Sequence, residues 1–100
     1  MNRIRIELLP WLSQYFAPHK SGRYVLDAEI EPGRDLGELF ARLAREHPVF
    51  AERVFDPDER QMREHVEVVV NDILIELRKA PAYPLRDGDV ITLIPAFQGG

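Results

Sequence analysis

Residues 99 and 100 are both glycine, and their type suits one kind of chemistry. A Gly-Gly carboxylate is slim enough to enter a narrow active site on another protein. Neither residue carries a Cβ, and both reach backbone angles that other residues avoid. The pair adds no side chain to a core and is costly to order, so packing does not explain it. By composition alone it arises in roughly 1 chain in 200, and its weight depends on the residues before it. Those are Pro95, Ala96, Phe97 and Gln98. Pro95 lacks an N–H and has a fixed φ, so it is expected to end a strand and free the residues that follow. Phe97 is a candidate anchor in a partner's pocket, with Gln98 and Gly99 beside it, because aromatic residues dominate binding hot spots. Its plain alternative is to fold back on its own sheet. The expected organisation is one globular domain over residues 1–95 and a flexible tail over residues 96–100.

Other chemistries find little support. The sequence contains no cysteine, which removes disulfides, thiolate metal sites and a cysteine nucleophile. His19, His47 and His65 are scattered, with no useful ligand spacing. Asp56, Asp58 and Glu59 cluster without the glycine-centred loop of an EF-hand. No glycine-rich phosphate loop occurs, and Ser13 and Ser21 sit in no nucleophile elbow. The expectation is a protein that is not itself an enzyme and binds no cofactor or metal. The 13 basic and 17 acidic residues give a net charge of −4, with the signs interspersed. That pattern offers no basic footprint for nucleic acid. Met1-Asn2-Arg3-Ile4-Arg5 lacks the apolar core of a signal peptide, and no apolar run is long enough to cross a bilayer. A cytoplasmic location without membrane contact is expected.

The elements that would position the tail follow from periodicity. Ile4, Ile6 and Leu8 alternate with Arg3, Arg5 and Glu7, as in a half-buried strand. Trp11, Leu12, Tyr15 and Phe16 fall at helical spacing and suggest a turn or two of helix that caps the core. Pro18 to Gly22 reads as a loop, and Tyr24 to Ile30 as a second strand paired with the first. Asp35 and Glu38 stand at capping-box spacing. Leu36, Leu39, Phe40, Leu43 and Ala44 then form one apolar stripe, so a helix packs on a sheet and stops at or just before His47, ahead of Pro48. In Val49 to His65, Val49, Phe50, Val54 and Phe55 could pack as a short second helix and Asp56-Pro57-Asp58-Glu59 looks like a turn; the stretch is expected to be an irregular, partly mobile excursion. Val66 to Val70 reads as a strand, Asn71-Asp72 as a tight turn, and Ile73 to Leu77 as a short return strand. Asp87-Gly88 marks another turn before a last strand, Val90 to Ile94. A hairpin, one strong helix and later strands make an α+β domain: a mixed sheet with the helix across one face and the first and last strands side by side at its centre. This is the ubiquitin-like β-grasp arrangement. A ferredoxin-like fold, its main competitor, needs a second full helix that residues 49–65 do not offer.

Two blocks carry a resemblance. One is Val68-Val69-Val70-Asn71-Asp72. The other is Pro84-Leu85-Arg86-Asp87-Gly88-Asp89 with its strand, then Pro95 and Gly99-Gly100. Together they resemble the MoaD/ThiS family of sulfur carriers. The length of the stretch from Val49 to His65 is more similar to longer MoaD-like members and to carriers of cysteine biosynthesis than to the thiazole-pathway type. The resemblance implies that an E1-like enzyme, using ATP and Mg, adenylates the Gly100 carboxylate, and that a sulfur donor displaces AMP to leave a thiocarboxylate. It implies an acceptor enzyme that takes the tail, with the large subunit of molybdopterin synthase the leading acceptor and an enzyme of cysteine or thiazole biosynthesis the alternative. A ubiquitin-like protein modifier and a non-conjugating β-grasp interaction module are the other functional readings.

Overall fold

The computed structural model describes residues 1–16 and 22–96. Seven strands and three α-helices follow in the order β1 (Asn2–Leu8), α1 (Pro10–Ser13), β2 (Tyr24–Ile30), α2 (Leu36–Glu46), α3 (Pro48–Arg53), β3 (Phe55–Asp56), β4 (Gln61–Met62), β5 (Val66–Val70), β6 (Ile73–Ile75) and β7 (Val90–Pro95), with a 3-10 turn at Ala80–Ala82. The main sheet has the order β2-β1-β7-β5-β6. β1 and β2 are antiparallel, with Ile6 opposite Leu26. β1 and β7 run parallel at the centre, with Ile6 opposite Ile91, as the patterning predicts. β7 and β5 are antiparallel, with Val68 opposite Leu93.

One face of the sheet is apolar because alternate residues point to it. Ile4, Ile6, Leu8, Val66, Val68, Ile91 and Leu93 are fully buried there beneath α2. The α2 stripe of Leu36, Leu39, Phe40 and Leu43 closes the core from above. The Asp35 side chain caps α2 by accepting the Glu38 N–H at 2.9 Å, while the Glu38 carboxylate binds Arg34 instead of returning to the cap. His47 ends α2 and also opens α3, where Pro48 takes the first-turn position that needs no N–H donor.

Residues 49–65 are more regular than the excursion expected of them, and the short second helix that Val49 and Phe50 allowed is present as α3, ending at Arg53. They form α3 and a two-stranded hairpin, Phe55 opposite Met62. Two features order them that no periodicity in so short a stretch reveals. Phe50 and Phe55 pack edge-on against Phe40 of α2, with ring centroids 5.0 and 6.0 Å away. The Arg63 guanidinium donates two hydrogen bonds, at 3.0 and 2.7 Å, to the Ala51 carbonyl near the end of α3. The expected turn at Asp56 is present: its side chain accepts from the N–H groups of Asp58 and Glu59.

Two strand ends also differ. β6 stops at Ile75, two residues early, because the Glu76 carbonyl accepts from the Lys79 and Ala80 N–H groups and turns the chain away. β7 does not stop before Pro95. Pro95 lies opposite Val66, and the Ala96 N–H donates to the His65 carbonyl at 2.9 Å. In this alternation, Pro95 has its nitrogen on the β1 side, where β1 has already ended at Leu8, so the missing donor costs no ladder bond. No helix among the described residues is long and apolar enough to cross a membrane.

Candidate functional site: the rim where the last strand leaves the sheet

Of the residues singled out in the sequence, Pro95 is half-buried at the end of β7. Phe97, Gln98, Gly99 and Gly100 lie outside the described residues, as does most of the loop expected at Pro18 to Gly22. What the structure defines is the strand that precedes Phe97 to Gly100 in the chain. β7 is bonded on both sides, to β1 and to β5, and Ala96, the final described residue, still donates to the His65 carbonyl. On the β1 side, the Trp11 indole N–H donates to the Leu93 carbonyl at 3.2 Å, so α1 braces the strand where β1 gives out. On the β5 side, Glu64 and Glu67 stand exposed beside the exit.

The other end of β7 explains the two sequence blocks. Val68 to Asp72 and Pro84 to Asp89 are structural. Asn71 and Asp72 have φ of 50° and 69°, the left-handed pair of a tight hairpin turn, and join β5 to β6. Asp89 is only 7% exposed. Its carboxylate accepts from the Asn71 side-chain amide at 2.9 Å and from the Arg86 N–H at 2.8 Å. The Asn71 side-chain oxygen Oδ1 accepts the Val90 N–H at 2.9 Å, and the Asn71 backbone N–H donates to the Val90 carbonyl. The Arg5 N–H donates to the Asp89 carbonyl. Asp87 accepts the Arg3 N–H at 2.7 Å, and the Gly88 N–H, at a residue with φ of +87°, returns to the Arg3 carbonyl. One clasp thus fixes the start of β7 against β1 and against the β5–β6 turn. It sets the register of β7 against both neighbours. The link between Asn71 and Asp89 was not read from the sequence, although both residues belong to the blocks that carried the resemblance.

No acid-base constellation accompanies the rim. Among the described residues, no group of three or more His, Cys, Asp or Glu could hold a metal ion. The Arg34 guanidinium is held above its ordinary range by Glu38 and then by Glu31, but this is an ion-pair set on solvent-exposed side chains at the start of α2.

The strand order with one helix across an apolar face defines a ubiquitin-like β-grasp domain, and solved structures agree. The crystal structure of SAMP1 from Haloferax volcanii superposes with a TM-score of 0.73 at 21% identity, covering 99% of this chain and 100% of that one. Urm1 from Trypanosoma brucei gives 0.68 at 24% identity over 99% and 96% of the two chains. A putative molybdopterin converting factor, subunit 1, from Pyrococcus furiosus gives 0.65 at 19% over 97% and 100%. Identities this low establish the fold alone. The family model described as ThiS family matches residues 14–100. The sulfur carrier protein CysO of Mycobacterium tuberculosis and Mycobacterium bovis is 30% identical over 84 residues, covering 83% of this chain and 87% of the carrier. The chain belongs to the ThiS family, the MoaD/ThiS group of ubiquitin-like sulfur carriers.

Proposed function

We propose that Gly100 is the reacting residue of a sulfur carrier that works in the cytoplasm. An E1-like partner, using ATP and Mg, joins the Gly100 carboxylate to AMP and releases pyrophosphate. The carboxylate is anionic and resonance-stabilised, and the mixed anhydride gives it a good leaving group. A sulfur donor then displaces AMP and leaves a thiocarboxylate, whose sulfur passes to an acceptor enzyme. In this reading, residues 1–96 are an inert holder, since Ala96 is tied to the His65 carbonyl and does not belong to the tail expected over residues 96–100, and residues 97–100 are the stalk. Pro95, Phe97, Gln98 and Gly99 contact the partner's channel, and the acid, base and metal all belong to the partners.

The observation that carries the reading is the family match, which runs through Gly100. The geometry is compatible with it: β7 is clamped at its start and bonded on both flanks, as far as Ala96 among the described residues. For the acceptor, we favour the CysO-like branch, in which the sulfur goes to cysteine synthesis, over the large subunit of molybdopterin synthase. Its support is the 30% identity over 84 residues, whereas the molybdopterin branch has a likeness of fold at 19%.

The test is intact mass after incubation with the E1-like activator encoded in the same genome, ATP, Mg and a sulfide source. Exchange of one oxygen for sulfur is the expected product. Higher-mass adducts joined through lysine would make the protein a modifier instead. An unchanged mass with that activator refutes both. The Gly100→Ala variant is expected to melt like the parent and to be adenylated far more slowly.

A further inference from the structure

The two flanks of β7 are not held alike along its length. On the β5 side the pairing runs on, with Ile94 opposite Glu67, Pro95 opposite Val66 and the Ala96 N–H on the His65 carbonyl. On the β1 side it stops with Leu8 opposite Leu93, because Leu9 turns out of the strand to open α1 as its N-cap. Pro95 brings no N–H to that side. The bond from the Trp11 indole N–H to the Leu93 carbonyl, at 3.2 Å, is the last on the β1 flank among the described residues. Its donor stands on a firm support. Leu12 is fully buried, and the Leu12 and Ser13 N–H groups return to the Leu9 carbonyl. The Ser13 hydroxyl donates to the Gly22 carbonyl at 2.6 Å. Trp11 itself, the sole tryptophan of the chain, packs partly buried against the core.

We infer that Trp11 is a positioning residue: through its indole N–H it holds the last residues of β7 and so fixes the place from which residues 97–100 continue. A strand end bonded along one edge swings about that edge. A bond on the opposite edge, donated by a side chain rooted in α1, removes the swing. The consequence for chemistry rests on the carrier reading. A partner that has docked the globule must still bring the Gly100 carboxylate to within bonding distance of its nucleotide. Looseness at Ala96 passes to Gly100 through the chain, and it lowers the share of docked molecules whose carboxylate is in reach. Loss of the N–H therefore slows the bond-forming step and leaves docking of the globule alone. An indole N–H that merely satisfied itself inside a fold would have neither effect.

The obvious variant, Trp11→Phe, also shrinks the ring and lowers stability, so the deciding test changes the donor alone. Because tryptophan occurs once, 3-benzothienylalanine can replace it, keeping the fused ring and putting sulfur where the N–H was. 5-Fluorotryptophan at the same position keeps the N–H and serves as the conservative control. In the full chain, without ATP or activator, amide hydrogen exchange of the sulfur analogue is expected to speed about fivefold at Ile94 and Ala96, and less than about twofold at Val90 beside the clasp. With the E1-like activator in excess, single-turnover formation of the Gly100 adenylate is expected to slow about threefold to tenfold. The half-saturating activator concentration should stay within about twofold of the parent's. The fluorinated chain is expected to match the parent in all three measurements. Equal acceleration at Val90 and Ala96 would mark a general loss of stability and overturn the proposal. Unchanged exchange at Ala96, or an effect confined to the half-saturating concentration, would overturn it too. A parent chain that is never adenylated refutes the carrier reading, and the exchange comparison then decides the role of Trp11 by itself.

Discussion

Replacing Asp89 with alanine tests the claim that the Asp-Gly-Asp turn is a structural clasp. The carboxylate is buried and accepts from the Asn71 amide at 2.9 Å and the Arg86 N–H at 2.8 Å. Alanine removes both acceptors at a buried position, and the two donors, on the exposed residues Asn71 and Arg86, turn only in part to water. A hydrogen bond to a charged group contributes about 1.5–3 kcal/mol, and a stranded buried donor costs a comparable amount. A loss of about 3 kcal/mol follows for the pair, once the partial access of Asn71 to water is allowed for. In a domain of this length that lowers the melting temperature by about 15 °C. Asn71→Ala removes one of the same bonds and also the acceptor of the Val90 N–H. The double variant should therefore cost less than the two single changes added together, by about 1 kcal/mol. Thermal unfolding followed by circular dichroism measures all four species. If Asp89→Ala melts within about 3 °C of the parent, or if the two losses add without coupling, the clasp does not hold β7 and the reasoning fails.

Three further outcomes are expected. Gly88→Ala should destabilise by about 1–2 kcal/mol through backbone strain alone, since φ is +87° and the space that a Cβ would enter holds no atom within 4 Å; Gly88→Asn, which tolerates that backbone better, should lose less in the same chemical denaturation series. Gly37→Ala places a Cβ 2.8 Å from the Pro81 carbonyl, where α2 meets the 3-10 turn, and should cost about 1–3 kcal/mol by overpacking, read as a lower urea midpoint at unchanged slope. Deleting Gly99 and Gly100, which have no side chains to bury, should move the melting temperature by less than about 2 °C while abolishing activation by the E1-like partner.

The sheet and α2 were legible because their signals are long and redundant. Ile4, Ile6 and Leu8 repeat at period two, and five α2 residues share one stripe above an N-cap whose bond to Glu38 is observed. Residues 49–65 were illegible for a physical reason. α3 has six residues and its hairpin strands two each, too short for any period, and what holds them is long-range: Phe40 to Phe55 and Arg63 back to Ala51. The early end of β6 was set by the Glu76 carbonyl, and a run of apolar residues does not encode that. Pro95 misled because its effect depends on which flank its nitrogen faces, and that is known only once β1 is seen to stop at Leu8. At the candidate site the sequence pointed to both motif blocks, but the pairing of Asn71 with Asp89 needed three dimensions.

The double flanking of β7 has a mechanical consequence. A strand at the border of a sheet peels away one bond at a time when tugged from its tip. β7 is gripped by β1 on one side and β5 on the other, so a pull along it must shear two ladders together. A machine that draws the residues past Ala96 into a tight channel, and later lets them go, can therefore haul on this protein without unravelling it.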